Sequence, residues 1–144
     1  MYMSLVLEDP KGAFEALKLT SLSAVATLRV LDKYTHRQPM IKWVNDIFLD
    51  GKKLGGILCE NLLKGERSEV IIGIGVNVNK QAFPSFNLNS PISLEDVVES
   101  VDKNRLIAEL LLGFNDLIAI MYPLSGYVGI IAIIMITINY IYGG

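Results

Sequence analysis

The chain has one cysteine, one histidine and one tryptophan among its 144 residues. With Cys59 alone no internal disulfide can form, which fits a reducing compartment, and the cytoplasm is the expected location. The single histidine, His36, sits in the polar stretch "THRQP" and reads as solvated. No grouping of His, Cys, Asp and Glu has the spacing of a direct metal site. Positive charge is scarce too: 13 Lys and Arg stand against 15 Asp and Glu, a net charge of -2, with no basic cluster interleaved with aromatics. That leaves no electrostatic footprint for nucleic acid. The opening "MYMSLVLEDP" lacks the basic start and long apolar run of a secretory signal.

What is present is apolar. Hydrophobic residues make up 51% and charged ones 19%, which argues against disorder and for one domain with one core. The mean hydropathy of +0.42 is high for such a domain. It traces to the C-terminus, where no Asp, Glu, Lys or Arg follows Asp116. "YVGIIAIIMITINYIYGG" approaches the roughly 20 apolar residues of a membrane span. It also carries Thr137 and Asn139 and has no basic flank, so a span is the less favoured reading. Residues 1–122 are therefore expected to fold as a domain and residues 123–144 to form an apolar tail.

Along the chain, "MYMSLVL" is β-prone and Asp9-Pro10-Lys11-Gly12 signals a loop. "AFEALKLTSLSAVATLRVLDKY" carries Leu22, Val25, Ala26, Leu28 and Leu31 at helical spacing, with Thr20 or Ser21 as candidate N-caps and Pro39 beyond its end. From Met40 to Asn79 short apolar runs alternate with turns, the pattern of an antiparallel meander. Asp50-Gly51 marks a type I′ hairpin and residues 64–68 a longer turn. Ser93 is a candidate N-cap with Glu95 and Asp96 in the first turn, and Asp102 or Asn104 caps a helix from about Arg105 to Tyr122.

The densest chemistry lies in "KWVNDIFLDGKKLGGILCE", residues 42–60. A hairpin through Asp50-Gly51 puts Lys42, Asn45 and Asp46 before its tip and Lys53, Gly55 and Gly56 after it. Glycine weakens a strand, so a Gly-Gly pair implies close approach by a ligand or by another backbone. "IIGIGVNVN", residues 71–79, repeats the device with Gly73 and Gly75 on one face and the carboxamides of Asn77 and Asn79 following. Bare backbone, ammonium groups and carboxamides suit a flat or anionic ligand, where a lysine would neutralise charge on phosphoryl oxygens. A bulge with a solvated, lysine-guarded edge would leave the same pattern, and from the residues alone both readings stay open. Trp43 is expected to be a packing anchor, and Cys59 a small core residue.

These two segments resemble the signature of the biotin protein ligase family: Lys-Trp-Pro-Asn-Asp, a hairpin, Lys-[Leu/Ile]-[Ala/Gly]-Gly-[Ile/Val]-Leu, then a Gly-x-Gly-x-Asn strand. Weaker similarity runs through "LTSLSAVATLRVL" and "ISLEDVVESVDKNRLIAELL", so it covers roughly residues 3 to 120. The resemblance implies an α+β fold of the class II aminoacyl-tRNA synthetase type, a mixed, largely antiparallel sheet with helices packed on it. It implies that biotin and ATP, the latter with Mg²⁺, react to biotinyl-adenylate, and that the biotinyl group passes to a lysine of a biotin carboxyl carrier domain. On this resemblance Lys53 is the catalytic lysine and, with Gly56 and Leu58, meets biotin. Gly73, Gly75 and Asn77 meet the adenosine, and Lys42, Asn45 and Asp46 organise the phosphate and metal region. A homodimer is compatible with it.

Val44 stands where the family has proline; a β-branched residue suits extended backbone there. The family's Gly-Arg-Gly-Arg-x-Gly-Arg segment and its Ser/Thr and Gln contacts to biotin fall before Met1, so the chain is expected to be the C-terminal half of a catalytic domain, truncated at its N-terminus. A disrupted reading frame would account for both ends. The alternative function is a catalytically incompetent remnant that binds adenylate or biotin weakly, membrane-associated through its tail.

Overall fold

The computed structural model describes residues 1–8, 16–65, 67–83 and 90–121. The expected apolar tail, residues 123–144, lies outside them, as do the loop expected at Asp9-Pro10-Lys11-Gly12 and the first residues of the expected helix.

Strand β1 spans Tyr2–Glu8, helix α1 Ala16–Thr35, β2 Met40–Lys42, β3 Asp46–Leu49, β4 Lys52–Lys64, β5 Arg67–Val76 and helix α2 Lys103–Met121. The strands form one sheet in the order β1-β5-β4-β3-β2, antiparallel at every strand pair. Among the described residues one isolated parallel bridge, Lys53 to Pro91, adds the mixed character. The expected meander is there from β2 to β5, and β1 closes against β5 with Tyr2 opposite Gly75 and Ser4 opposite Gly73.

One face of the sheet carries the core. Met3, Leu5 and Leu7 of β1 and Val70, Ile72, Ile74 and Val76 of β5 are buried at period two. Against them lies α1, through Leu19, Leu22, Ala26, Val30 and Leu31, and α2 packs on α1 with Leu106, Ile107, Leu110 and Phe114. Cys59 faces this layer and is half-buried; burial pushes its thiol pKa up, and the hydroxyls of Thr20 and Ser23 pull the other way.

The ends of the elements follow local chemistry, with corrections. Thr20 and Ser21 are not caps: both lie inside α1, where their hydroxyls donate to the carbonyls of Ala16 at 2.7 Å and Leu17 at 3.2 Å, the bond Ser and Thr make to the preceding turn. Helix α1 stops at Thr35, and exposed His36 takes a left-handed conformation, φ 48°, ahead of Pro39. At the hairpin tip both Asp50, φ 51°, and Gly51, φ 73°, have positive φ, as a type I′ turn requires. Arg37 pairs with Asp50 there. Ser93 precedes only a single 3₁₀ turn, Leu94–Asp96, whose Asp96 carboxylate accepts the Ser93 N–H at 2.8 Å. Asp102, not Asn104, caps α2: its Oδ1 accepts the N–H groups of Asn104 and Arg105.

Among the described residues no helix is long and apolar enough to cross a membrane.

Candidate functional site

The face of the sheet opposite the helices is a groove of about 730 Å³. Its floor comes from strand alternation. Gly56 pairs with Gly75 and Leu58 with Gly73, so three glycines and Leu58 share one face of two neighbouring strands. Asp46 of β3 stands opposite Gly56. Tyr2 and Ser4 of β1 complete the far wall.

Lys53 reaches this face because the ladder slips. Ile47 pairs with Gly55 and Phe48 with Lys53, which leaves Leu54 as an extra residue in β4. Strict alternation would put Lys53 on the same side as Gly55 and Ile57, toward the core. The bulge moves it across, and Leu54 and Gly55 are buried in succession. The Lys53 Nζ then lies 2.7 Å from Asp46 Oδ1, with the two side chains 45% and 28% exposed. Gly56 seats the pair: a Cβ there would lie 3.3 Å from Asp46 Oδ1 and 3.7 Å from Lys53 Cε.

The two adjacent glycines thus have different reasons. A Cβ on Gly55 would stand 2.4 Å from the Gly75 carbonyl oxygen, so Gly55 serves close backbone approach. Gly56, Gly73 and Gly75 clear the groove. Gly73 has ordinary space, its nearest neighbour being the Leu58 carbonyl oxygen at 3.5 Å, while the Tyr2 ring lies over Gly75 at 3.2 Å from where a Cβ would be.

Asn45 and Asn77 line the groove, but their amide donors are in use. Asn45 Nδ2 donates to the Ile57 carbonyl at 3.2 Å and its own carbonyl accepts the Ile57 N–H at 2.8 Å. Asn77 Nδ2 donates to the carbonyls of Lys53, 3.4 Å, and Ile92, 3.2 Å. Asn79 turns away to Glu95.

Lys42 does not line the groove, although it stands opposite Asp46 in the β2–β3 register. It ends β2, and its Nζ sits 5.3 Å above the Phe48 ring, a cation–π contact. Trp43 is no packing anchor either: it is 78% exposed, in the turn over residues 43–45 that joins β2 to β3. Val44 shares that turn, after a cis Trp43–Val44 peptide bond. The sequence reading missed Tyr2, Ser4 and Pro91 as groove residues. The alternation of Tyr2 and Ser4 with buried Met3 and Leu5 marks their face, but only the β1–β5 pairing places that face beside the glycines. Among the described residues no three His, Cys, Asp or Glu side chains gather to hold a metal.

The chain is thus an α+β domain whose open sheet face carries a lysine–aspartate pair above glycine-cleared strands. Residues 1–77 match the Biotin/lipoate A/B protein ligase family, and the chain belongs to it. Over 119 residues it is 38% identical to the "Bifunctional ligase/repressor BirA" of Bacillus subtilis, covering 80% of this chain and 37% of that protein. It is 33% identical over 88 residues to the human biotin–protein ligase, covering 60% of this chain and 11% of that one. The biotin protein ligase of Aquifex aeolicus superposes with a TM-score of 0.73 at 26% identity, over 86% of this chain and 54% of that one. The same enzyme in complex with biotin and ATP gives 0.72 at 25% identity, over 86% and 52%. The fold is thus of the biotin ligase, class II synthetase-like type. The chain spans just over a third of the Bacillus relative it matches, 37%.

Proposed function

We propose that the groove is the biotin and ATP site of a biotin protein ligase, which activates biotin as biotinyl-adenylate and passes it to a lysine of a biotin carboxyl carrier domain. The observation that carries this is the Lys53 ammonium, held by Asp46 over the Gly56 floor.

In the first step an oxygen of the biotin carboxylate attacks the α-phosphorus of ATP. The bond from that phosphorus to the pyrophosphate oxygen breaks, and pyrophosphate leaves. Two anions must come together, and at about 4 Å and an effective dielectric near 20 they repel by about 4 kcal/mol. An ammonium between them offsets that repulsion and grips the charge that develops on the phosphoryl oxygens. Lys53 has three donors, of which the Asp46 contact uses one, leaving two for ligand oxygens. Mg²⁺ enters as part of the ATP substrate, through phosphate oxygens.

In the second step the amine of the acceptor lysine attacks the acyl carbon of the mixed anhydride. An amide forms, AMP leaves, and the amine gives up a proton. Gly56 and Leu58 would face biotin, and Gly73 and Gly75 the adenosine, with Gly73 leaving room for a flat ring and the Tyr2 ring standing at Gly75. Lys42, seated over Phe48, is left out of this assignment. A cytoplasmic setting, where ATP and carboxylase domains meet, fits this reading.

Two measurements on the whole chain test it: calorimetry with biotin and biotinyl-adenylate, and biotin-dependent release of pyrophosphate from ATP. Binding with turnover supports the ligase. Binding without turnover supports a remnant that retains only the pocket. Binding of neither ligand overturns both.

A further inference from the structure

We infer that Lys42 is a positioning residue for Lys53: it is the second cation of the Asp46 carboxylate, held on the Phe48 ring until substrate anions draw on Lys53. The strand register brings the three together. Lys42 is directly opposite Asp46 in the β2–β3 pairing, and Asp46 is opposite Gly56 on β4. Residues directly opposite on antiparallel strands share a face, with Cβ atoms about 4.5–5.5 Å apart. Asp46 is thus flanked by an ammonium from each neighbouring strand. Lys53 holds its Oδ1 at 2.7 Å, while the Lys42 Nζ rests 5.3 Å from the centroid of the Phe48 ring, further along the same face of β3. No ion pair among the described residues includes Lys42.

The ring is a station that Lys42 leaves easily. A cation over an aromatic face and an ion pair are both weak where water reaches them, and Lys42 is exposed. One flexible stem therefore serves both Phe48 and Asp46 by rotation alone. What decides between them is the charge on Asp46. In the ligand-free chain Lys53 neutralises it, and Lys42 gains little by crossing over. When a carboxylate and a phosphoryl group enter the groove, three anions draw on one ammonium, and the Asp46 carboxylate repels the other two. Lys42 then supplies the missing positive charge at Asp46 from the β2 side, and the remaining Lys53 donors stay with the reacting oxygens.

That last step rests on the ligase reading; the pairing of Lys42 with Asp46 does not, and a chemical experiment reads the pairing by itself. A carbodiimide activates the Asp46 carboxylate, and a lysine amine in contact with it displaces the urea and closes an amide. Tandem mass spectrometry of the peptides tells a 42–46 link from a 46–53 link. In Lys53→Met the first cation is gone, and Asp46 is expected to draw in Lys42. The 42–46 link should then rise about fivefold over the wild-type chain, the scale on which one exposed ion pair shifts a population. A 42–46 yield that stays at the wild-type level would overturn the inference. Should Lys53→Met not fold, Lys53→Gln gives the same reading.

The kinetic experiment uses Lys42→Met, which keeps an apolar stem over Phe48 and removes only the charge. It is expected to lower kcat for biotin-dependent pyrophosphate release about tenfold with KM for ATP little changed, because the residue acts through Lys53. Lys42→Arg keeps the charge and should recover most of that loss, whereas a role confined to covering Phe48 would be met by methionine as well. An unchanged kcat in Lys42→Met would overturn the inference, and so would a rise in KM alone, which would put the ammonium on the nucleotide. If the wild-type chain releases no pyrophosphate with biotin, the ligase reading fails while the crosslink still decides this one.

Discussion

The Nζ of Lys53 stands 2.7 Å from the Oδ1 of Asp46, and the two belong to neighbouring strands whose register slips by one residue between them. The pair is half-exposed, so its own contribution to stability is small, within about 1 kcal/mol as for other solvent-screened pairs. Its value is in placing a cation over the groove. Lys53→Ala is therefore expected to abolish biotin-dependent pyrophosphate release while leaving the thermal midpoint nearly unmoved. Pyrophosphate release at the wild-type rate would remove Lys53 from the chemistry.

Gly55 and Gly56 are adjacent, yet substituting them has opposite signatures. Gly55→Ala drives a methyl to 2.4 Å from a backbone oxygen that is part of the β4–β5 ladder and cannot give way cheaply. It is expected to cost about 1–3 kcal/mol of stability, as overpacking does, read from a urea midpoint at unchanged slope. In Gly56→Ala the methyl meets a carboxylate oxygen at 3.3 Å, the end of a side chain that can shift. It is expected to fold almost normally and to weaken biotin binding by displacing the Lys53–Asp46 pair. Equal destabilisation by both would contradict the division of roles.

Much of this site was legible because strands repeat at period two. Gly73, Gly75, Gly56 and Leu58 fall on one face by parity, and the type I′ tip at Asp50-Gly51 follows from the φ > 0 that the turn demands. Parity alone would have pointed Lys53 inward. The bulge that reverses it depends on how β3, β5 and the Pro91 segment divide the hydrogen bonds of β4, which no local pattern reports. Trp43 was misread for a related reason. It follows β2, which is three residues long and lies at the sheet edge, where little protein remains to pack against an indole. Thr20 and Ser21 looked like caps because the chemistry that caps a helix also back-bonds within one.

The Gly73 position separates a floor from a structural accommodation. A Cβ there meets the Leu58 carbonyl oxygen at 3.5 Å and the Leu58 Cβ at 4.0 Å, both ordinary contacts, so no described residue requires glycine there. Gly73→Val is expected to keep the fold and to lower ATP affinity at least about tenfold by filling the space an adenosine would occupy. Calorimetric titration with ATP reads it directly. Undiminished binding would show that the nucleotide lies elsewhere.

Cys59 gives a pH-dependent prediction. Burial raises its thiol pKa above the ordinary value, with Thr20 and Ser23 opposing, while in the unfolded chain the thiol is free to ionise. A raised folded-state pKa contributes stability that is complete below the unfolded value, near 9.0, and is lost as pH climbs through the folded one. Denaturant midpoints are therefore expected to be insensitive to this group at neutral pH and to decline above the ordinary thiol range. Cys59→Ala should remove that alkaline decline, at the separate cost of a small cavity between β4 and α1 that shows at every pH. The thiolate is the reactive species, so iodoacetamide should label Cys59 slowly in the native chain and rapidly once it is unfolded. Fast native labelling at neutral pH would mean that the β4–α1 interface opens far more readily than its packing implies.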